Sequence, residues 1–339
     1  MRNDARGDVW KVWVYAAAAV LLGAWVSPLL YNAGKALAEV SSNKTTNGFL
    51  EWLAGVFRVA DFPWFYRWTL ALAAILLFFP WMEWVHAGRG GAPDRRGPWQ
   101  LRLPGGARID ACGQPLRKDP RGAWHGCAGF LLVAGLMLSM GLALVPAGFF
   151  TLRAPLGGLA GFALRTLAGA LPVAVVMEAL FRGVAMGIFL RAMRPAAAVG
   201  VSAALFALVL SFAAPPGLNV ADPDAAGTGI EMLRLAAGRF ADLRSICGNF
   251  APMLALGGVL AYVRWRTASL WMPIGLHTGW LFAKGMLGLL EATDLEPNFA
   301  VFPVDLLHQG LVPLLAMGFA GILAHYLTAY RNDESPVHP

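Results

Sequence analysis

The sequence predicts an all-α, polytopic membrane protein with about eight transmembrane helices. Three observations carry that expectation. First, the 339 residues are 58% apolar and only 14% charged, with a mean hydropathy of +0.57; soluble domains carry about 25% charged residues to coat their surface. Second, nearly uncharged runs of the ~20 residues needed to cross a bilayer recur along most of the chain. Third, Lys and Arg gather between the runs rather than within them, as membrane orientation requires. Together these exclude a disordered tail protein, a secreted disulfide scaffold and a soluble dinucleotide-binding enzyme. The net charge of +7 is therefore read as topology and not as nucleic-acid binding. The three cysteines, Cys112, Cys127 and Cys247, form no C-x-x-C pair, so neither a disulfide framework nor a zinc knuckle is expected.

In chain order, residues 12–34 hold no charge and form the first span. The run is too long for a cleavable signal and reads as a retained anchor. A polar, mildly amphipathic stretch follows to Asp61. The remaining spans are expected at 68–85, 128–146, within 156–190, at 195–214, 245–263, 268–290 and 303–330. No internal repeat is visible, and the whole is read as one membrane domain. Its parts are an N-terminal transmembrane region (1–155), a core (156–290), a C-terminal transmembrane helix (291–330) and a polar tail (331–339).

Orientation follows from the basic residues. The loop 87–122 carries eight Lys/Arg against three Asp and should be cytoplasmic. It is rich in Gly and Pro, builds no core of its own, and is expected to lie against anionic headgroups. Eight spans then put both termini inside, with 16 Lys/Arg in cytoplasmic segments against eight outside. The long connection 215–244 has room for a surface helix over 230–243, with Ile230, Leu233, Leu235 and Phe240 as its apolar stripe.

Ionisable groups inside spans cost about 2.5–3.5 kcal/mol each at the bilayer centre unless paired or hydrated. Glu178 and Arg182 are four apart, on one helical face, and can neutralise each other. His277 and Lys284, seven apart, share a face of a later span. Arg165 lies on a different face from Glu178 and can snorkel.

The words around these residues are more specific than their charges. Val176-Met177-Glu178-Ala179-Leu180-Phe181-Arg182-Gly183 resembles the first motif of the CAAX protease and bacteriocin-processing (CPBP, or Abi) family of intramembrane endopeptidases. That motif is two adjacent glutamates followed after three residues by arginine. Leu205-Phe206-Ala207-Leu208-Val209-Leu210 resembles the second motif, phenylalanine and then histidine four later. The run from Gly258 to His277, with Arg266-Thr267-Ala268-Ser269-Leu270-Trp271 at its turn, resembles the approach to the third motif, histidine and then a polar residue four later. The resemblance covers roughly 156–290 and implies a CPBP/Abi-like helical bundle. It also implies a mechanism. The first glutamate and the second-motif histidine activate a water, while the third-motif histidine and its polar partner stabilise the oxyanion.

Three positions depart from the pattern. Met177 stands for the first glutamate, Leu210 for the second-motif histidine and Leu281 for the third motif's polar partner. Glu178 and His277 remain as candidate catalytic residues, and Arg182 and Phe206 as motif residues. Neither methionine nor leucine accepts a proton. Two readings follow: an endopeptidase that cleaves membrane-associated peptides with what is left of its site, or a pseudo-protease that binds a hydrophobic, lipidated or membrane-tethered peptide in a chaperone, immunity or regulatory role. A transporter is disfavoured by the lack of repeats and paired broken helices. No cofactor is expected, and no divalent metal with these ligands missing. The expected partners are the lipid bilayer and such a peptide, with no nucleic acid. The expected location is a bacterial inner membrane with both termini cytoplasmic. A reporter fused within 95–118 should be cytoplasmic and one within 221–227 external; both on one side would overturn the eight-span topology.

Overall fold

Hydrocarbon offers no hydrogen-bond partners, so a crossing backbone must satisfy itself, and a helix does this within one segment. The computed structural model describes residues 2–43, 47–87, 122–153, 158–213, 220–293 and 310–329. The basic loop 87–122, except its two end residues, and the tail 331–339 lie outside the described residues. Each apolar run of the sequence becomes a helix, and the chain is an all-helical integral membrane protein. The helices are α1 (Arg2–Asn43), α2 (Gly48–Val59), α3 (Phe62–Ala87), α4 (Gly122–Ala143), α5 (Leu159–Ala192), α6 (Pro195–Ser211), α7 (Thr228–Gly238), α8 (Leu243–Thr267), α9 (Trp271–Leu287) and α10 (Leu311–Ala329). Among the described residues, α1, α3, α4, α5 and α8 are long and apolar enough to cross a bilayer by length and composition. At 17 residues each, α6 and α9 sit at the lower bound of the roughly 17–25 a span needs.

The chain divides into two compact units, 1–95 with 208–242 and 96–207 with 243–339. In the first unit, α1 packs along α3, α2 and α7. Ala24, Phe62, Tyr66 and Met232 form its buried core. The polar stretch before Asp61 proves to be α2, capped by Asn47, whose side chain accepts from the Leu50 N–H at 2.9 Å. Asp61 caps α3 in the same way through the Trp64 N–H. The surface helix expected at 230–243 forms as α7, but its phase differs. Thr228, Gly229, Met232 and Ala236 are buried and Ile230 is exposed. The reason is Gly229. A side chain there would collide with the Ala24 carbonyl of α1, so the glycine fixes which face approaches.

In the second unit, α9 lies against α4 with glycines at the seam. A Cβ on Gly279 would sit 2.6 Å from the Phe130 carbonyl oxygen, and one on Gly129 2.8 Å from that of Met272. Gly275 faces Gly126 in the same way. Small residues let membrane helices approach this closely. At about 100° per residue, His277 is roughly 200° from both Gly275 and Gly279, so it points away from α4. Two short strands join the helix ends. β1 (Phe150–Leu152) pairs antiparallel with β2 (Leu290–Ala292), with Thr151 opposite Glu291. Nothing in the residue pattern announces this three-residue ribbon.

Helix α8 ends at Ala268, whose backbone is left-handed (φ 51°, ψ 19°) and whose N–H bonds the Arg264 carbonyl. Glycine takes that conformation without a Cβ penalty, alanine does not. Ala268→Gly should therefore stabilise the protein by about 0.5–1 kcal/mol, read as a raised melting temperature in detergent. An unchanged or lowered midpoint would show that the turn carries no strain.

Candidate functional site

The site is built in the second unit by α5, α6, α8 and α9. Glu178 is the last residue of regular helix in the first part of α5; the next seven, Ala179–Ala185, form a π-helical stretch. Such wide turns recur at functional sites. Arg182 sits inside this stretch, and its own backbone carbonyl accepts from Arg264 Nε at 3.3 Å. Arg264, on α8, thereby braces the wide turn from outside.

One carboxylate oxygen holds the centre together. Glu178 Oε1 accepts from Arg182 Nη1 at 3.1 Å and lies 2.7 Å from His277 Nδ1. Glu178 and Arg182 are fully buried and His277 is 3% exposed. Arg182 Nη2 donates to the Gly257 carbonyl at 3.2 Å. The guanidinium carbon lies 4.1 Å from the centroid of the Phe206 ring, a cation–π contact. Phe206 also meets His277 edge-on at 5.7 Å and Phe181 at 5.2 Å. Gly257 makes this possible. A Cβ there would lie 3.0 Å from the Ala203 carbonyl oxygen and 3.2 Å from the Phe206 ring.

The structure thus brings Glu178, Arg182, Phe206 and His277 into one cluster. The three departing positions are placed differently. Met177 is half-buried on the neighbouring face of α5, about 100° from Glu178. Leu281 is half-buried one turn beyond His277 on α9. Leu210 follows Phe206 by one turn on α6, is half-buried, and falls in the share of that helix belonging to the first unit. Arg165 is exposed, folding back to the Gly161 carbonyl at 3.3 Å. Sequence reasoning misses Gly257 and the bracing role of Arg264. It also leaves unread the glycine spacing at 122, 126, 129, 275 and 279, a readable signal for close helix approach.

Chemically, a carboxylate on Nδ1 fixes the imidazole's tautomer and ring orientation, because Nδ1–H donates to it. Glu178 Oε2, Arg182 Nε and the Ser202 hydroxyl are buried without a hydrogen-bond partner among the described residues. Among the described residues no three His, Cys, Asp or Glu side chains converge to hold a metal ion.

Residues 159–283 match the family model described as type II CAAX prenyl endopeptidase Rce1-like, just over a third of the chain. The matched segment runs from the start of α5 into α9 and contains the whole cluster. No curated protein and no solved structure matches the chain.

Breaking a buried pair by removing one partner costs about 3–5 kcal/mol. Glu178→Gln should leave Arg182 uncompensated and weaken the bond to His277. The expected outcome is a clear loss of folded, monodisperse protein in size-exclusion chromatography and a lower melting point, both larger than for Met177→Gln. Wild-type yield and melting for Glu178→Gln would remove the structural role assigned to the pair.

Proposed function

We propose that this chain, whose residues 159–283 match the type II CAAX prenyl endopeptidase Rce1-like family model, keeps that family's core but binds a membrane-tethered peptide without hydrolysing it. One observation carries the reading. Where the resembled motifs place the water-activating glutamate and histidine, this chain has Met177 and Leu210, and neither holds a proton or orients a water. The remaining carboxylate, Glu178, is fully buried, and its Oε1 is already engaged by both Arg182 and His277. A fold does not guarantee the chemistry commonly built on it. Apolar residues at these two motif positions are in keeping with a hydrophobic or lipidated peptide segment as the ligand. The Lys/Arg asymmetry supports a placement with both termini cytoplasmic, and the resemblance to the bacteriocin-processing branch supports a bacterial inner membrane.

A second reading has one specific observation in its favour. Glu178 Oε2 is buried and without a partner among the described residues, beside an imidazole held by Oε1. From there Glu178 could polarise a water in place of the lost pair. Positional precision argues against it, since catalysis requires reacting groups held within fractions of an ångström.

General acid–base groups contribute about 10²–10⁴-fold and act as a unit. The purified protein should bind a fluorescent farnesylated peptide saturably and release no cleavage product from it. Met177→Glu combined with Leu210→His, and with Leu281→Asn if needed, should restore measurable hydrolysis where neither of the first two changes alone does. Robust cleavage by the unmodified protein, lost in His277→Ala or Glu178→Ala, would replace this reading with the second one.

A further inference from the structure

The surface where α10 lies along α8 falls outside the matched segment on the α10 side and takes no part in the charge centre. It carries a different chemistry. The two helices run parallel here. A Cβ on Gly321 would be 3.2 Å from the Val259 side chain, and one turn further on, Tyr262 and His325 meet. The Tyr262 hydroxyl is 2.6 Å from His325 Nδ1, and the rings stack at 6.0 Å with 23° between their planes. Trp265 adds a third ring 5.9 Å from Tyr262. This polar pair faces outward, for His325 is exposed.

Depth places the pair. Tyr262 is five residues before the end of α8 and His325 four before the end of α10. At 1.5 Å per residue both lie roughly 6–8 Å inside the helix ends, the level of the glycerol and phosphate groups of a lipid. Toward the membrane interior, Leu315, Phe319, Ile322 and Leu323 form an exposed stripe on α10 at helical spacing, which Tyr326 and Leu327 continue past His325. Toward the helix ends, Arg266 follows Tyr262 at i+4 on the same face of α8 and has no ion-pair partner among the described residues. Neither helix contains an Asp or Glu, so nothing within either one offsets Arg264 and Arg266.

We propose that this face is a binding site for an anionic phospholipid. The phosphodiester sits between the Arg266 guanidinium and the Tyr262–His325 pair, and an acyl chain lies along the α10 stripe. Each part has a chemical reason. Guanidinium groups match phosphate oxygens in geometry and charge. If the Tyr262 hydroxyl donates to Nδ1, the imidazole carries its proton on Nε2 and presents that N–H outward as a second donor. A polar hydrogen-bonded pair at the end of a lipid-facing stripe is costly against hydrocarbon and favourable against a headgroup. Basic pockets between membrane helices are a known form of headgroup recognition.

The test uses the full chain purified in detergent, titrated in native mass spectrometry with phosphatidylglycerol or phosphatidylcholine of identical acyl chains. The protein should prefer phosphatidylglycerol by at least about fivefold, the effect expected of one basic residue near an anionic surface. Arg266→Gln and His325→Gln should each reduce that preference severalfold, and Arg266→Lys should retain most of it. Circular dichroism melting establishes that each variant is folded; if Arg266→Gln fails to fold, His325→Gln and Arg266→Lys decide. Equal binding of the two lipids, or a preference unmoved in both Gln variants, would overturn the proposal. So would millimolar inorganic phosphate displacing the lipid completely, which marks an anion site with no contribution from the acyl stripe.

Discussion

A carboxylate and a guanidinium placed in a low-dielectric interior must find each other, and this requirement organises the second unit. Alone, either ion costs several kcal/mol to bury. Together, with the His277 imidazole as a third member, they form one cluster around one oxygen, Glu178 Oε1. The cluster then imposes conditions on everything around it. Arg182 needs a further acceptor, supplied by the Gly257 carbonyl, and a face to cover its guanidinium, supplied by Phe206. The wide π-helical turn at Ala179–Ala185 needs a donor for the Arg182 carbonyl, supplied by Arg264. Four helices are tied to one another by these contacts.

Glycine makes the convergence geometrically possible. At Gly257 the absence of a side chain lets α8 reach Ala203 and Phe206 of α6. At Gly275 and Gly279 the same absence lets α9 press its back against α4, which turns His277 toward α5. In hydrocarbon there is no hydrophobic drive between helices, so close van der Waals packing at small residues supplies the attraction. The small-residue seams and the charge cluster thus act on opposite faces of the same helix.

The cluster has a cohesive role of its own, apart from any chemistry. Glu178, Arg182, Phe206 and His277 serve cohesion whether or not a peptide is cut, and their retention follows from the cost of leaving any one of them unpartnered. Met177, Leu210 and Leu281 are apolar side chains in half-buried places.

Much of this was legible in the sequence. Hydropathy located the apolar helices, five of which are, among the described residues, long and apolar enough to cross a bilayer, because a run of ~20 apolar residues has few alternatives there. The i, i+4 spacing already paired Glu178 with Arg182, and the motif words singled out His277 and Phe206. The limits came where distance along the chain exceeds helical spacing. That His277 bonds Glu178 across 99 positions, that Arg264 braces a carbonyl on another helix, and that α7 turns Met232 rather than Ile230 inward were all decided by tertiary packing. The physical reason is common to the three. Periodicity fixes which residues share a face of one helix, but only the close approach of backbones at Gly229, Gly257 and Gly275 decides which face meets which neighbour.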